Sequence, residues 1–304
     1  MPALPVTGNL AQRAAMASVL VASLLLVLKL FAVSRTGSAA MLGSLADTGL
    51  DLVASLVTLL GVRVAATPAD HNHRFGHGKA EALAALFQVA LIAVAAVAIG
   101  WRSAHHFTGQ HVVASADYGI GVSVIAIVFS IGLIAYQRHV IVRTGSLAIG
   151  TDSLHYQSDL VLNLSVIAAL ALEQYAGIRG ADPLFGVAIA LWLAWGAWTS
   201  ANTAIDHLMD REWPLEERDR FLAIAAQHPE LKGIHDLRTR SSGTQRFVQF
   251  HVWVDPAMSV FEAHRVMDEV EARLERDFPG VEILIHPDPE GHVDPSAPPV
   301  AIST

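Results

Sequence analysis

Two pairs of polar residues stand in stretches of the chain that are otherwise apolar. Asp47 and Asp51 lie in the run from Met41 to Leu60, and His155 and Asp159 lie in a later run with the same four-residue step. Residues four positions apart on a helix share a face, so each pair should project from one side of its helix. Three carboxylates and one imidazole converging from two buried helices predict a binding site for a divalent cation.

Burial makes a purely structural role for these acids costly. A charged side chain at bilayer depth costs roughly 3 kcal/mol on insertion scales, so protons or a dication must neutralise the carboxylates. That competition is the physical basis of antiport. The alternative is that the acids pair structurally with each other's helices or with Lys29. Four nitrogen and oxygen ligands favour tetrahedral zinc over six-coordinate magnesium.

A second group of candidate ligands lies in the hydrophilic segment D-H-N-H-R-F-G-H-G-K-A-E at 70–81. Asp70, His73 and His77 could converge on one ion, with His71 as a spare imidazole. The alternative is a solvated polar loop whose histidines bind nothing. We therefore expect a second, loop-borne metal site.

A third group lies near the carboxyl-terminal end of the chain. Taken singly, each of its histidines could be an ordinary surface residue, but together with an aspartate they could bind one or two metal ions. The candidates are His235, His251, His264, His286 and Asp288. The chain has no cysteine, which excludes disulfides and thiolate ligands. It also lacks the short motifs of hydrolases and ATPases.

The composition indicates which elements position these groups. Of the 304 residues, 53% are hydrophobic and 16% are charged, and the mean hydropathy is +0.43. Such values favour a chain embedded largely in a membrane, and the net charge of −8 argues against nucleic acid as a partner. Six apolar runs are long enough to span a bilayer. They cover 14–33, 39–64, 80–104, 116–136, 146–173 and 181–205.

From about Asp210 the pattern becomes that of a small α+β domain. A helix after Pro214, two alternating runs joined by a turn, a second helix from about Ser259 to Phe278 and a final strand give the order α-β-β-α-β. We therefore expect four regions. They are a cytoplasmic segment 1–13, a six-helix transmembrane domain 14–208, a cytoplasmic metal-binding regulatory domain 209–290 and a disordered tail 291–304.

The basic residues that flank the spans predict the orientation. By the positive-inside rule, the side with more Lys and Arg is cytoplasmic, which places both termini in the cytoplasm. One side has Arg13, Arg63, Arg74, Lys79, Arg138 and Arg143, and the other has Arg35, Arg102 and Arg179. The second and fifth helices then run in opposite directions, as in transporters built from inverted repeats.

Three motifs carry a resemblance to a known family. They are A-D-T-G-L-D at 46–51, P-A-D-H-N-H-R-F-G-H-G-K-A-E at 68–81 and D-S-L-H-Y-Q-S-D at 152–159. Over about residues 10–290 the chain resembles the cation diffusion facilitator family, and within it the bacterial zinc/iron efflux proton antiporters. The resemblance implies six helices followed by a metallochaperone-like cytoplasmic domain, assembled as a homodimer in the bacterial inner membrane.

The resemblance also implies roles for single residues. Asp47, Asp51, His155 and Asp159 would form the transport site, and Asp70, His73 and His77 the loop site. The cytoplasmic binuclear site would use His235, His251, His264, His286 and Asp288, with Asp288 bridging the ions. Lys79 and Asp210 would form a salt bridge near the dimer hinge. Pro287 departs from the pattern, because close relatives often have glutamine there.

The functional hypothesis is efflux of a divalent cation by proton antiport with alternating access. The His-Asp pair on the fifth helix resembles that of the zinc members, whereas all-carboxylate versions go with manganese. Zinc is therefore the preferred substrate, with Fe²⁺, Cd²⁺, Co²⁺ and Ni²⁺ as further candidates. The alternative is a membrane-anchored metal sensor or buffer without transport. An intramembrane metalloenzyme would need an open coordination position and a general base, and Asp152 is the one spare acid nearby.

Overall fold

The computed structural model describes residues 6–36, 39–106, 117–176, 181–227, 232–243 and 245–291. The chain divides into two compact units, Met1–Ile205 and Asp206–Thr304. Each unit is described by itself below. The predicted disordered tail falls, from position 292 onward, outside the described residues.

Six long helices make up the first unit and confirm the predicted helical transmembrane architecture. Five of them contain a stretch that is long and apolar enough to cross a membrane. In the part of α5 that the structure describes in full, no such stretch is found. The helices are α1 (Val6–Thr36), α2 (Ala39–Ala65), α3 (Ala80–His106), α4 (Asp117–Thr144), α5 (Leu147–Ala176) and α6 (Ala181–Leu208).

Two of the helices extend well beyond the predicted spans. α1 begins at Val6, so part of the segment expected to precede the helix belongs to it. α4 continues to Thr144, although its apolar run ends near Tyr136. The reason is that an apolar run marks the part of a helix that contacts hydrocarbon, whereas the helix itself continues into polar surroundings as long as its backbone hydrogen bonds are made.

Small residues allow the helices to approach one another closely. A Cβ atom placed on Gly61 of α2 would collide with Ala84 of α3, and one on Gly196 of α6 would lie 2.9 Å from the Leu154 side chain of α5. α3 and α6 share a further apolar cluster around Ile92. Without a hydrophobic effect in lipid, such close backbone packing is what holds membrane helices together.

The second unit has the predicted α-β-β-α-β order. Its strands form one sheet in the order β1-β2-β3, with β1 and β2 antiparallel and β2 and β3 parallel. Side chains of β2 alternate between buried and exposed, and Val248, Phe250 and Val252 enter the core with residues of both helices. The elements are α7 (Leu215–Ala225), β1 (Lys232–Ser242), β2 (Gln245–Val254), α8 (Val260–Asp277) and β3 (Val281–Pro289).

The ends of these elements follow local chemistry. Ser259 caps α8 in a capping box, in which its hydroxyl accepts the Glu262 backbone N–H and the Glu262 carboxylate accepts the Ser259 backbone N–H. β3 runs three residues past its predicted end at His286 and includes Pro287. β3 is an edge strand that, among the described strands, pairs only with β2. A proline is tolerated there, because an N–H on the unpaired side of the strand would have no backbone partner.

Candidate metal sites

The first candidate site joins α2 to α5. Nε2 of His155 lies 3.0 Å from Oδ1 of Asp51 and 3.9 Å from Oδ2 of Asp159. One ligand atom from each of these residues lies within 4.8 Å of the others, close enough to share one ion. We call Asp51, His155 and Asp159 the α2–α5 site. It consists of one imidazole and two carboxylates, which is a typical zinc ligand set.

Asp47 is not part of this group of atoms. It lies one turn before Asp51 on α2 and is exposed. The alternative structural partner for the acids, Lys29, instead donates a hydrogen bond to Thr48 Oγ1 (2.5 Å) and another to the Ser44 carbonyl (3.2 Å). The described hydrogen bonds of the lysine are therefore to neutral oxygen atoms, while Asp51, Asp159 and Asp47 interact with its charge at longer range. The assignment of Asp47 as a fourth ligand stays a prediction.

Asp152 is the centre of a buried polar network one turn before His155. Its Oδ2 accepts hydrogen bonds from Ser18 Oγ (2.6 Å) and Gln137 Nε2 (2.8 Å), and its Oδ1 accepts one from Gln88 Nε2 (3.0 Å). All four side chains are completely buried. These neutral donors come from α1, α4 and α3, so the carboxylate fixes α5 against three other helices. In the sequence, Asp152 is visible as the first residue of the D-S-L-H-Y-Q-S-D motif.

The second candidate site lies in the loop between α2 and α3, where the three predicted ligands lie close together. Nδ1 of His73 lies 3.2 Å from Asp70 Oδ1, and Nε2 of His77 lies 3.1 Å from His73 Nδ1 and 3.5 Å from Asp70 Oδ2. Gly76 has a φ of 74°, which lets the loop turn back between the two histidines. We call Asp70, His73 and His77 the loop site.

The backbone of the loop prepares Asp70 as an anionic ligand. The backbone N–H groups of His73 (2.6 Å) and Asn72 (2.8 Å) both donate to Asp70 Oδ1. These hydrogen bonds, that of His73 first, hold the pKa of the Asp70 carboxyl below its ordinary value. The carboxylate is therefore charged and oriented without any ion. His71 is exposed and is not among the grouped ligands.

The third candidate site depends on the register of the sheet. His235 of β1 is paired with His251 of β2, and His251 is paired with His286 of β3, so the three imidazoles form a row across the strands. Asp288 follows two residues later on the same side of β3. We call His235, His251, His286 and Asp288 the sheet site.

Asp288 uses its two oxygen atoms toward different histidines. Oδ2 lies 3.2 Å from His235 Nε2 and 2.8 Å from His251 Nδ1, whereas Oδ1 lies 3.2 Å from His286 Nε2. Burial alone would raise the pKa of this carboxyl, but the hydrogen bond from His251 and the neighbouring imidazoles lower it below its ordinary value. A charged carboxylate with one oxygen toward each side suits a residue that bridges two ions.

The tautomer of His235 is fixed by the chain itself. Nδ1 of His235 lies 2.7 Å from the carbonyl oxygen of Gly233, so it donates to that carbonyl and leaves Nε2 free as a ligand atom. Gly233 has a φ of 55° and packs against Trp253, where a Cβ atom would collide with the indole ring. The glycine is therefore needed for the carbonyl to reach the histidine.

Asp236, which the sequence analysis did not name, lies beside the sheet site in an ion pair with Arg238 (2.9 Å), whereas His264, which it named, lies outside the cluster. Oδ2 of Asp236 lies 3.7 Å from Nε2 of His251, on the opposite side of the ring from Asp288. Asp236 has a φ of 46°, unusual for a residue other than glycine, at an irregularity in the β1–β2 pairing. His264, by contrast, is exposed on α8 and lies 3.4 Å from Asp268, outside the cluster of its own chain.

The proposed hinge pair falls on the two separate units. Lys79 belongs to the first unit and Asp210 to the second. Asp210 has a φ of 56° and lies 3.8 Å from Arg240 within the second unit. The salt bridge between Lys79 and Asp210 stays a prediction.

Comparison with protein families gives two matches that together span most of the chain. A family model described as the cation efflux transmembrane domain matches residues 15–209. A second model, described as the cytoplasmic domain of cation efflux proteins, matches residues 213–290. The boundary between the two models, at 209–213, lies a few residues after the division between the two structural units at Ile205.

Similar full-length proteins carry the same description. The cation-efflux pump FieF of Escherichia coli O127:H6 is 42% identical over 282 residues, which cover 93% of this chain and 94% of the relative. FieF of Serratia proteamaculans is 40% identical over 285 residues, covering 94% and 95%.

Solved structures match about a quarter of the chain. The zinc form of CzrB is 38% identical, covers 28% of this chain and 98% of its own, and gives a TM-score of 0.27. The metal-bound C-terminal domain of the CzcD transporter from Thermotoga maritima is 27% identical, covers 26% and 94%, and gives a TM-score of 0.25.

Proposed function

Because the chain belongs to the cation efflux family of membrane transporters, we propose that it exports a divalent metal ion, zinc by preference, in exchange for protons. The observation that carries the proposal is the convergence of Asp51, His155 and Asp159 from two membrane-embedded helices. A polar cluster at this depth is costly unless an ion or protons occupy it, and such clusters mark substrate pathways. The protein is a transporter rather than an enzyme.

The ligand types support zinc as the substrate. Imidazole nitrogen and carboxylate oxygen suit zinc, whose bonds to them are about 2.0–2.2 Å long. Asp47, one turn before Asp51 on the same helix, would complete a tetrahedron in a state of the transporter in which α2 turns toward α5. The same ligand types accept Fe²⁺, Co²⁺, Ni²⁺ and Cd²⁺, so selectivity among these ions depends on geometry.

Protons are the natural counter-ion of such a site. A metal ion binds to deprotonated ligands, so binding releases protons and an excess of protons displaces the metal. His155 is the leading exchanger, since imidazole as a group changes its charge between pH 5 and 8. In alternating access, the site loads metal from the cytoplasm, opens outward, and exchanges the metal for protons.

The remaining features of the proposal concern placement and assembly. The excess of Lys and Arg on one side of the spans supports a multi-pass protein of the bacterial inner membrane with both termini in the cytoplasm. The carboxyl-terminal domain would join two chains in a homodimer, as the exposed apolar side chains of Val260 and Phe261 at the start of α8 suggest. His264, one turn after Val260, would then be available to a site shared with the second chain.

Under this proposal the sheet site and the loop site regulate transport. Metal bound by Asp288 and its histidines would draw the two carboxyl-terminal domains together and bias the equilibrium between the inward and outward states. A salt bridge between Lys79 and Asp210 would act as the hinge of that motion. Residues 209–290 would be the regulatory domain and residues 14–208 the transport domain.

The experiment is zinc uptake into proteoliposomes that contain the full-length protein, with an imposed pH gradient. The wild type should take up zinc, and Asp51→Ala and Asp159→Ala should not. Glu275→Gln, which removes an exposed acid of α8, is the matched control and should transport normally. Uptake that persists in both aspartate variants would end the proposal, and zinc binding without uptake by the wild type would favour a sensor.

A further inference from the structure

We propose that Glu81 is a positioning residue that joins the loop site to the first turn of α5, so that a metal ion in the loop site steadies the helices that bind the exported ion. The inference rests on the proposed function. It assigns a role to a buried carboxylate that belongs to none of the three metal sites.

Glu81 lies in the first turn of α3 and is 5% exposed. Its Oε2 accepts a hydrogen bond from Ser146 Oγ (2.7 Å), and the carboxylate also accepts the backbone N–H groups of Leu147 and Ala148. These residues open α5, whose own first turn contains no acid. The first N–H groups of a helix lack partners within it, and negative charge is favourable there. Ser146 caps α5 with its hydroxyl, which accepts the Ile149 backbone N–H (3.4 Å), and the Glu81 carboxylate of α3 adds the negative charge that the first turn of α5 lacks.

Three residues of the chain separate Glu81 from His77, the last ligand of the loop site. The Ala80 N–H donates to the His77 carbonyl (2.9 Å), and the Glu81 N–H donates to the Gly78 carbonyl (3.2 Å). The last ligand of the loop site thus passes directly into the first turn of α3. Asp70, the first ligand, follows the end of α2 by five residues. A metal ion on the loop site would hold the end of α2 and the start of α3 in fixed positions relative to each other.

These contacts connect the two helices that carry the α2–α5 site. α2 carries Asp51, and α5 carries His155 and Asp159. At the end of the bundle where α2 stops and α5 starts, one connection between the two helices runs through the loop site and Glu81, beside the apolar cluster in which Val62 and Ile149 are both buried. His155 lies eight residues after Leu147, about 12 Å along the helix axis at about 1.5 Å per residue. Because a helix of this length is stiff, a shift of the first turn of α5 also moves His155.

The loop site is already close to the geometry of a bound ion. Its ligand atoms are 3.1–3.5 Å apart, close to the separation of about 3.3 Å between ligands in a tetrahedral zinc site with bonds of about 2.0 Å. Binding should therefore change the stiffness of the loop more than its shape. Coupling between two sites through stiffness alone is a known physical route, and hydrogen exchange detects it.

The direct test is hydrogen–deuterium exchange of the α5 amino terminus in the full-length protein, with and without zinc, in an Asp51→Ala background that disables the α2–α5 site. Zinc should slow exchange at residues 147–151 by about fivefold, at the low end of typical coupling between sites. His73→Ala, which removes a loop ligand, should abolish this protection, and so should Glu81→Ala. Protection that survives Glu81→Ala would overturn the inference, as would protection that survives His73→Ala.

Transport kinetics provide a readout that loss of stability alone would not move. In proteoliposomes His73→Ala and Glu81→Ala should each raise the KM for zinc by about fivefold with little change in kcat, and the double variant should match the single ones. Independent, multiplying effects would contradict the proposal. Glu81→Gln, which keeps an oxygen acceptor, should restore part of the effect. If Glu81→Ala fails to fold, Ser146→Ala should show the same pattern more weakly.

The two proposals fail separately. A wild-type protein that moves no zinc would end the proposed function, while the exchange experiment in the Asp51→Ala background would still measure whether the loop site and α5 are linked. Normal transport with unchanged exchange at α5 would end only the role of Glu81.

Discussion

The α2–α5 site and the loop site contain the same ligand types in opposite surroundings. In the former, the side chains of His155 and Asp51 are 12% and 20% exposed, whereas those of His73 and Asp70 in the loop are 58% and 49% exposed. The third ligands depart from this contrast, since Asp159 is 35% and His77 17% exposed. Water can stabilise the charges of the loop site when no ion is bound. The buried charges of the α2–α5 site need an ion or protons, because desolvation makes an uncompensated charge there costly.

Because of this difference, similar residues should have different functions in the α2–α5 site and the loop site. A site that must always be neutralised exchanges one cation for another, which is what an antiporter requires. A site that is stable when empty can respond to metal concentration without taking part in each transport cycle. The two sites should therefore respond very differently to the same substitution.

The largest expected effect comes from matched isosteric changes of the two aspartates. Asp159→Asn removes a partly buried charge that faces the buried His155, so we expect zinc transport to fall by about 100-fold or more, the scale of a broken buried pair. Asp70→Asn should lower kcat/KM by only about fivefold, as for other loop variants. Stopped-flow zinc uptake into proteoliposomes measures both rates. Equal losses would remove the distinction between the sites.

A change of ligand type should alter selectivity at the α2–α5 site alone. His155→Asp replaces the imidazole with a third carboxylate, and oxygen ligands suit manganese better than nitrogen ligands do, so the ratio of zinc to manganese transport should fall by about tenfold. His73→Asp in the loop should leave that ratio unchanged. Competition between the two metals in one uptake assay measures it. A shift caused by the loop variant would mean that the loop site selects the substrate.

A smaller effect is expected from Asp236, which lies beside the sheet site. Asp236 lies behind His251, and partners in this position typically contribute about 10-fold or more to metal affinity. Asp236→Asn should therefore weaken zinc binding at the sheet site by about 10-fold without a direct effect on the α2–α5 site. Isothermal titration calorimetry in an Asp159→Asn, His73→Ala background isolates the sheet site. Unchanged affinity would show that Asp236 has no part in orienting the imidazole.

The smallest effect concerns the packing that connects the two sites. Gly61→Ala should push α2 away from α3, because the added Cβ would collide with Ala84, and overpacking of this kind costs about 1 kcal/mol or more. Gly132→Ala is the matched control, since no neighbouring atom lies within 4 Å of the added Cβ. Thermal unfolding in detergent should give a lower Tm for the first variant only. Equal Tm values would show that α2 and α3 are free to move apart.

The sequence was sufficient for the parts of these sites that depend on local spacing. The four-residue step from His155 to Asp159 and the short loop from Asp70 to His77 already bring their ligands together. The row of histidines on the sheet was found as a group, but its order depends on strand register, which spacing along the chain does not determine.

Long-range geometry determined what the sequence analysis missed. Asp236 lies near His251 at an irregularity in the β1–β2 pairing, and Glu81 meets the start of α5 because α3 begins beside it. Helix periodicity places Asp47 on the same face as Asp51, but it does not set how far a carboxylate reaches. The lengths of α1 and α4 were underestimated because apolar runs report the hydrocarbon span alone.

The most direct test of the account is the direction of zinc flux under opposite pH gradients. Proteoliposomes with zinc at equal concentration on both sides would be given first an acidic and then an alkaline lumen, and lumenal zinc would be followed with an indicator dye. Exchange of metal for protons predicts that net zinc movement reverses with the gradient, into the acidic compartment each time, and that Asp51→Ala abolishes both movements. Zinc flux that ignores the gradient would contradict antiport through the α2–α5 site.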